Sequence, residues 1–291
     1  MKEKNCLITG ATSGIGKAVA LGLAEKGANI IFIGRNPEKC KEVAKLIKKK
    51  TQNENVNYYV ANISLIREVK KVADKIKNDF ERIDVLINNA GARFIKHQLT
   101  DEGIELTLAT NHLGHFVLTN ELLPLLRNSD DARVINVSSG AHYGGKGIIQ
   151  NITEPSQYDG RLQYSNSKLA NVLFTYELAE RLKDSTVKVF AVDPGGVATN
   201  FSRNNGLIFW LKHLAYYLLK RELITPKQAS QTIIHLATSE EVKNQTAKFF
   251  FDMKEKKSSQ LSYDKSLQRK FWEMSEELVK RIMQAENKTN L

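Results

Sequence analysis

The sequence predicts an α/β fold: a single domain built on a doubly wound parallel sheet with helices on both faces. Three observations carry this prediction. Short runs that are apolar throughout recur along the chain, and each is followed by a stretch with helical spacing. A glycine-rich turn, TGATSGIG (9–16), separates the first such run from the first helix. The 291 residues, 42% hydrophobic and 26% charged, suit one globular unit, with no linker, low-complexity segment or short repeat.

Residues 5–10 (NCLITG) form the first apolar run and end in glycine, as a buried strand does before a tight turn. Residues 16–27 set Ala18, Val19, Leu21, Leu23 and Ala24 at helical spacing, and Gly27 is the stop. A second buried strand is expected at 29–34 (NIIFIG). A basic helix follows at 37–50, opened by Pro37, whose fixed φ and missing N–H suit the first helical position. The cycle repeats with a strand at 56–61, a helix from about Ser64 to Phe80 and a strand at 84–91 (DVLINNAG). Helices around 100–127, a strand at 132–139, a helix from Tyr164 and a strand at 187–195 complete the series. Right-handed crossovers between such strands produce the doubly wound arrangement. Two segments break the rhythm: a glycine-rich loop at 140–162, and 204–224 (NNGLIFWLKHLAYYLLKRELI). The second is strongly apolar, but its apolar part is too short to span a bilayer.

Lysine and arginine number 43 against 32 acidic residues, a net charge of +11. Such an excess favours phosphorylated cofactors, acidic membrane surfaces or nucleic acid, or is spread over a solvated surface. No nucleic-acid module is recognisable, so nucleic acid is not an expected partner. The two cysteines, Cys6 and Cys40, form no CxxC and no Cys/His cluster. That argues for a reducing compartment and against a disulfide framework or a metal site. MKEKNCLITG has no apolar h-region, so neither a signal peptide nor an anchor is expected, and the expected location is the cytoplasm.

Gly10, Gly14 and Gly16 are spaced G-x-x-x-G-x-G in a turn that also holds Thr12, Ser13 and Ile15. Glycine permits a tight turn and close approach to a pyrophosphate, whose charge meets the helix N-terminus. At the end of the second strand a carboxylate suits the ribose of NAD, and a basic residue suits the 2′-phosphate of NADP. Here the strand ends Gly34-Arg35-Asn36. Arg35 can hold a phosphate through two hydrogen bonds, so NADP(H) is expected over NAD(H). The alternative is a solvated loop arginine.

YSNSK (164–168) sets Tyr164 and Lys168 one turn apart on one helical face. Such a pair is common, but TGATSGIG, NNAG (88–91), NVSS (136–139), YSNSK and PGGVAT (194–199) occur here in series. In that order they make the chain resemble the short-chain dehydrogenases/reductases over essentially its whole length. NHLGHF (111–116), RVINVSSGAH (133–142), YSNSKLANVLFTYELA (164–179) and FFFDMK (249–254) are similar to patterns of the retinol-dehydrogenase-like subgroup.

The resemblance implies one Rossmann-type domain over 1–291, with a dinucleotide-binding half at 1–135 and a catalytic and substrate-binding half at 136–291. It implies hydride transfer between a nicotinamide and a carbonyl or alcohol. Tyr164 then supplies the proton. A free phenol has a pKa of about 10, and the charge of Lys168 lowers it. The lysine also binds the nicotinamide ribose. Ser139, with Ser138 as the alternative, holds the substrate oxygen. Asn111 anchors a water chain from the lysine, or else caps or kinks its helix. Further implied cofactor contacts are Asn62, Ile63, Asn88, Ala90, Gly91, Pro194, Gly195, Val197 and Thr199.

The chain departs from the family at Asn62, where Asp is usual; an amide oxygen can accept from the adenine amine but brings no charge. Arg93 follows NNAG where apolar residues are common. Arg93, His142 and Tyr143 are candidate substrate residues, or exposed loop residues. Segment 204–224 is a lid over a lipophilic substrate, an interfacial helix in peripheral contact with a membrane, or an ordinary packed helix. On the helix from Tyr164, Leu169, Val172, Leu173, Tyr176 and Ala179 form the apolar stripe. Glu177, Arg181 and Asp184 are expected on a solvated face, with Tyr164 and Lys168 at the edge of the stripe. The expected function is an NADPH-dependent carbonyl reductase, or the reverse alcohol dehydrogenase, for a retinoid-, steroid- or fatty-aldehyde-like small molecule. The alternative is a nucleotide-binding sensor or scaffold without turnover. A homodimer through the helices before and at YSNSK is a further expectation from the family.

Overall fold

The computed structural model describes residues 1–147, 157–197, 205–206 and 223–289, with side chains through residue 285. Seven parallel strands form its centre: β1 (Asn5–Thr9), β2 (Asn29–Gly34), β3 (Val56–Val60), β4 (Val85–Asn88), β5 (Arg133–Val137), β6 (Lys188–Asp193) and β7 (Lys248–Phe251). A short β8 (Lys254–Glu255) runs antiparallel to β7, and the order is β3-β2-β1-β4-β5-β6-β7-β8. β1, β2, β4, β5 and β6 are buried at nearly every residue. Helices cover both faces, and for that reason these strands read as unbroken apolar runs.

One face carries α1 (Gly14–Glu25), α2 (Pro37–Thr51) and α8 (Pro226–Thr238), packed over Ile8, Phe32, Ile87, Ile135 and Phe190. The other carries α3 (Ile66–Asp79), α5 (Gly114–Glu121), α7 (Gly160–Arg181) and α9 (Lys265–Thr289). Helices begin where the sequence offers a cap. Asn36 accepts from Lys39 N at 2.9 Å ahead of Pro37, Asp159 accepts from Arg161 N at 2.7 Å, and Thr225 and Gln228 form a capping box.

Several elements differ from expectation. Between β4 and β5, α4 (Leu106–Leu108) passes through one π-helical turn (Ala109–Leu113) into α5, and α6 (Leu123–Arg127) follows. A Cβ on Gly114 would collide with the Ile63 carbonyl, so only glycine lets α5 approach so closely. The expected loop at 140–162 contains a 3₁₀ turn (Gly140–Gly144), and α7 begins four residues ahead of Tyr164.

The largest difference is α9, which lies along α7. The Trp272 ring packs on Phe116 and Phe174 at centroid distances of 4.9 and 5.8 Å, and the Arg181 guanidinium lies 4.1 Å from the Trp272 centroid. The solvated face expected on α7 is therefore corrected in part. Glu177 is only 6% exposed and pairs with Arg181 at 2.8 Å, whereas Arg181 and Asp184 remain exposed. α9 packs along α7, one of the helices that the expected homodimer would use.

Cys6 and Cys40 are free and buried. Among the described residues no acidic, histidine or cysteine cluster suits a metal ion, and no helix is long and apolar enough to cross a membrane.

Candidate active site

A long cleft opens at the carboxyl ends of the strands, where the strand order reverses between β1 and β4. The turn after β1 forms its floor. Gly10 and Gly14 have φ of +71° and +54°, and a Cβ on Gly16 would lie 2.6 Å from the Gly10 carbonyl oxygen. Thr12, Ser13 and Ile15 line the cleft beside them, and Ser13 gives α1 no side-chain cap. A narrow glycine cradle at an uncapped helix N-terminus fits the pyrophosphate of a dinucleotide.

At one end lie Arg35, Asn36 and Lys39, with Asn62, Ile63 and Ser64 opposite. The Asn62 Oδ1 accepts from Ser64 N and Ser64 Oγ at 3.2 and 2.9 Å. Both lone pairs of the oxygen expected to accept from adenine are thus engaged by Ser64.

Thr9 organises the middle of the cleft. Its Oγ1 accepts from Asn89 N and Ala90 N, each at 2.9 Å, and Asn89 Nδ2 donates to Thr9 O at 2.8 Å. Asn89, Ala90 and Gly91 line the cleft. Asn88 does not. As the last residue of β4 it turns into the core, donating to Thr119 Oγ1 and Asn136 Oδ1 at 2.9 and 2.8 Å. Side chains alternate along a strand, and the next residue, Asn89, faces the cleft.

The other end gathers Ser139, Tyr164 and Lys168 around the cleft. Lys168 is 3% exposed; its Nζ lies 5.7 Å from the Tyr164 ring centroid and donates to Val137 O at 3.0 Å. Burial pushes its pKa down from 10.5 to about 8, opposed only in part by the Asp193 carboxylate. Ser138 also borders the cleft, but its hydroxyl is buried and donates to Lys168 O at 2.8 Å. Ser139 Oγ accepts from Ala141 N at 3.2 Å, which leaves its proton to donate.

Asn111 lies behind this wall and is fully buried. Its Oδ1 accepts from Ala92 N at 2.7 Å, and its Nδ2 donates to Ala92 O and Ser167 Oγ, both at 2.9 Å. Ser167 Oγ in turn donates to Tyr164 O at 2.8 Å. Asn111 thus braces the segment after β4 against the start of α7. A Cβ on Gly91 would lie 3.3 Å from Asn111 Oδ1 and 3.4 Å from Lys168 Nζ, so both groups crowd one glycine.

Of the candidate substrate residues, Arg93 borders the cleft, and its carbonyl accepts from Asn205 Nδ2 at 2.7 Å. His142 and Tyr143 do not border it, because the 3₁₀ turn carries their side chains away. His142 is fully buried against Ser259, and Tyr143 is exposed with its hydroxyl donating to Lys257 O. Pro194, Gly195 and Val197 line the cleft after β6. Thr199 and most of 204–224 lie outside the described residues; Ile224 is described, and its N donates to Gly196 O at 2.9 Å. The sequence reading passed over Asn89, Lys39 and Asp193, which all border the cleft. It also passed over the buried His115, whose ring nitrogens contact Thr9 Oγ1 and Asn111 O at 2.9 and 3.1 Å. The second asparagine of NNAG and the aspartate before PGG were visible signals; the histidine of NHLGHF carried none of its own.

The family model for short chain dehydrogenase matches residues 4–207. The human protein named Retinol dehydrogenase 13 is 38% identical over 289 residues, covering 95% of this chain and 84% of its own. A solved protein of Mycobacterium paratuberculosis is 30% identical with a TM-score of 0.76, over 96% of this chain and 94% of that one. A short chain dehydrogenase of Shigella flexneri, complexed with NADP, shares the fold at a TM-score of 0.68 and 22% identity, over 87% of this chain and 98% of its own. The glycine cradle, the cleft at the strand reversal and these likenesses agree, and the chain belongs to the short chain dehydrogenase family of nicotinamide-dependent oxidoreductases.

Proposed function

We propose that the enzyme is an NADP(H)-dependent dehydrogenase/reductase acting on the carbonyl or alcohol of a lipophilic small molecule of retinoid, steroid or fatty-aldehyde type. The observation that carries this reading is the convergence of Ser139, Tyr164 and Lys168 on one cleft with the glycine cradle. The nicotinamide, when bound, supplies or takes the hydride. The first-turn amides of α1 hold the pyrophosphate, and Arg35 with Lys39 holds the 2′-phosphate. Ser139 donates to the substrate oxygen and orients it. Tyr164 gives its proton to the oxygen as charge develops there, and the buried Lys168 ammonium favours the phenolate that remains. Asn111 keeps Gly91 and Tyr164 in register through Ala92 and Ser167.

Two further observations support the finer parts of the reading. Phe94, Leu106, Val197, Ile224 and Phe251 give the substrate end an apolar lining, and Retinol dehydrogenase 13 is named for a lipophilic alcohol. Arg35 and Lys39 both line the cleft and could hold a 2′-phosphate, and the Shigella structure of the same fold is complexed with NADP; both support the NADP(H) reading. The test is NADPH oxidation against a panel of aldehydes and ketones, retinal included. Turnover that disappears in Tyr164→Phe while NADPH binding persists is the expected result. No turnover on any member would favour a sensor without chemistry.

A further inference from the structure

His142 sits three residues past Ser139 with its side chain fully buried. Nδ1 is 2.7 Å from the Ser139 carbonyl oxygen, which can only accept. Nε2 is 3.0 Å from the Ser259 backbone nitrogen, whose N–H can only donate. Both bonds form together only in a neutral imidazole with its proton on Nδ1. The ring also packs on Tyr143 and Phe249, at centroid distances of 4.0 and 4.7 Å. The charged groups acting on it are Asp193 and Lys256, of opposite sign, and burial lowers its pKa.

Ser259 belongs to a firmly held shelf. Ser262 Oγ donates to Ser259 O and lies beside Ser258 Oγ, both at 2.6 Å. Ser258 Oγ is 2.7 Å from the Tyr176 hydroxyl on α7, and Gln268 Nε2 on α9 donates to Ser262 O at 2.7 Å. On the other side, Ser139 O accepts from both His142 N and His142 Nδ1, at 3.0 and 2.7 Å, while Ser139 Oγ is turned onto Ala141 N. Fixing that carbonyl fixes the turn from which the hydroxyl projects.

We propose that His142 is a positioning residue that transmits the placement of the shelf at 257–263 to Ser139, holding the serine hydroxyl in one orientation toward the substrate oxygen. The inference rests on the reading of Ser139 given above. His142 touches neither substrate nor cofactor and acts through the serine alone.

The test compares H142F, which keeps a packed ring but loses both bonds, with H142N, which keeps a donor at the Nδ1 position. H142F is expected to lose about 10- to 100-fold in kcat, with the NADPH dissociation constant and the KM little changed. H142N, which keeps the donor to Ser139 but lacks the acceptor for Ser259, recovers only part of the loss. In an S139A background the H142F effect disappears, because it runs through the serine. A wild-type kcat in H142F, or a loss that adds fully to that of S139A, overturns the proposal. Should H142F fail to fold, H142Q, which keeps an acceptor for Ser259 but no donor for Ser139, takes its place against H142N. Nitrogen-15 NMR of the wild-type protein should find the Nδ1–H tautomer unchanged from about pH 6 to about pH 8. The Nε2–H tautomer, or a titrating ring, overturns the proposal whatever the kinetics. A wild-type enzyme without turnover brings down the functional reading itself, a different failure from an active enzyme indifferent to His142.

Discussion

Lys168 should cost the cofactor-free protein stability, and Lys168→Met should return it. The side chain is 3% exposed, and among the described residues no carboxylate is paired with its Nζ; Asp193 acts on it without contact. Burial lowers its pKa from 10.5 to about 8. At about 1.4 kcal/mol per pH unit, that displacement corresponds to about 3 kcal/mol. The sign follows from proton counts. Below pH 8 the lysine is charged in both folded and unfolded chains, and the folded state carries the full cost. Between pH 8 and 10.5 the unfolded chain holds the proton more often than the folded one, so stability rises with pH and the cost fades. Methionine has a similar length and no charge. The Val137 carbonyl that the lysine leaves still accepts from Asn171 Nδ2 at 3.2 Å. Urea unfolding without cofactor should therefore find Lys168→Met more stable than wild type by up to about 3 kcal/mol at pH 7. The gap should close as the pH approaches 10.5, and the variant should have no turnover. A variant no more stable at pH 7, or a gap independent of pH, would refute the burial argument.

Tyr164→Phe should abolish carbonyl reduction with an NADPH dissociation constant within about twofold of wild type, and retained turnover excludes Tyr164 as the acid. Arg35→Glu should weaken NADPH binding by about tenfold or more while sparing NADH; fluorescence titration of both cofactors measures this, and an unchanged preference removes Arg35 from phosphate recognition. Trp272→Ala, which empties the space between Phe116, Phe174 and Arg181, should cost about 3–5 kcal/mol in urea unfolding. A loss below about 1 kcal/mol would mean that α9 is not clamped to α7. Gly114→Ala forces a methyl against the Ile63 carbonyl and should cost about 1–3 kcal/mol, and it should weaken NADPH binding because Ile63 borders the cleft.

Much of the nucleotide half was legible because its code is local. Strands buried on both faces need apolar side chains at every position, and β1, β2, β4, β5 and β6 announce themselves in that way. The glycine cradle and the Tyr164–Lys168 pair are likewise set by neighbours in sequence. Asn88 and Asn89 were harder to separate, since an offset of one residue exchanges the two faces of a strand. The side chains of His142 and Tyr143 turn away through a 3₁₀ turn that no periodicity marks. Glu177 pairs with Arg181, whose guanidinium lies over Trp272 of α9, far away in the chain, so no wheel drawn on α7 alone could find that setting. Some signals were present and went unused: Thr225-Pro226-Lys227-Gln228 is a capping box with proline, and Phe271, Ser275, Leu278 and Ile282 recur at helical spacing.

The position of α9 along the chain also bears on biosynthesis. Strands β1 to β6 and the helix bearing Tyr164 leave the ribosome well before α9, so a growing chain can pair its first six strands early. Until α9 arrives, the ring faces of Phe116 and Phe174 have no Trp272 to cover them, and Arg67 NH2 has no Ile282 carbonyl to meet. The nascent polypeptide thus presents an aromatic seam between α5 and the helix that bears Tyr164 until α9 is made. A ribosome stalled before residue 265 would hold a chain with its first six strands made and the Phe116 and Phe174 ring faces still uncovered.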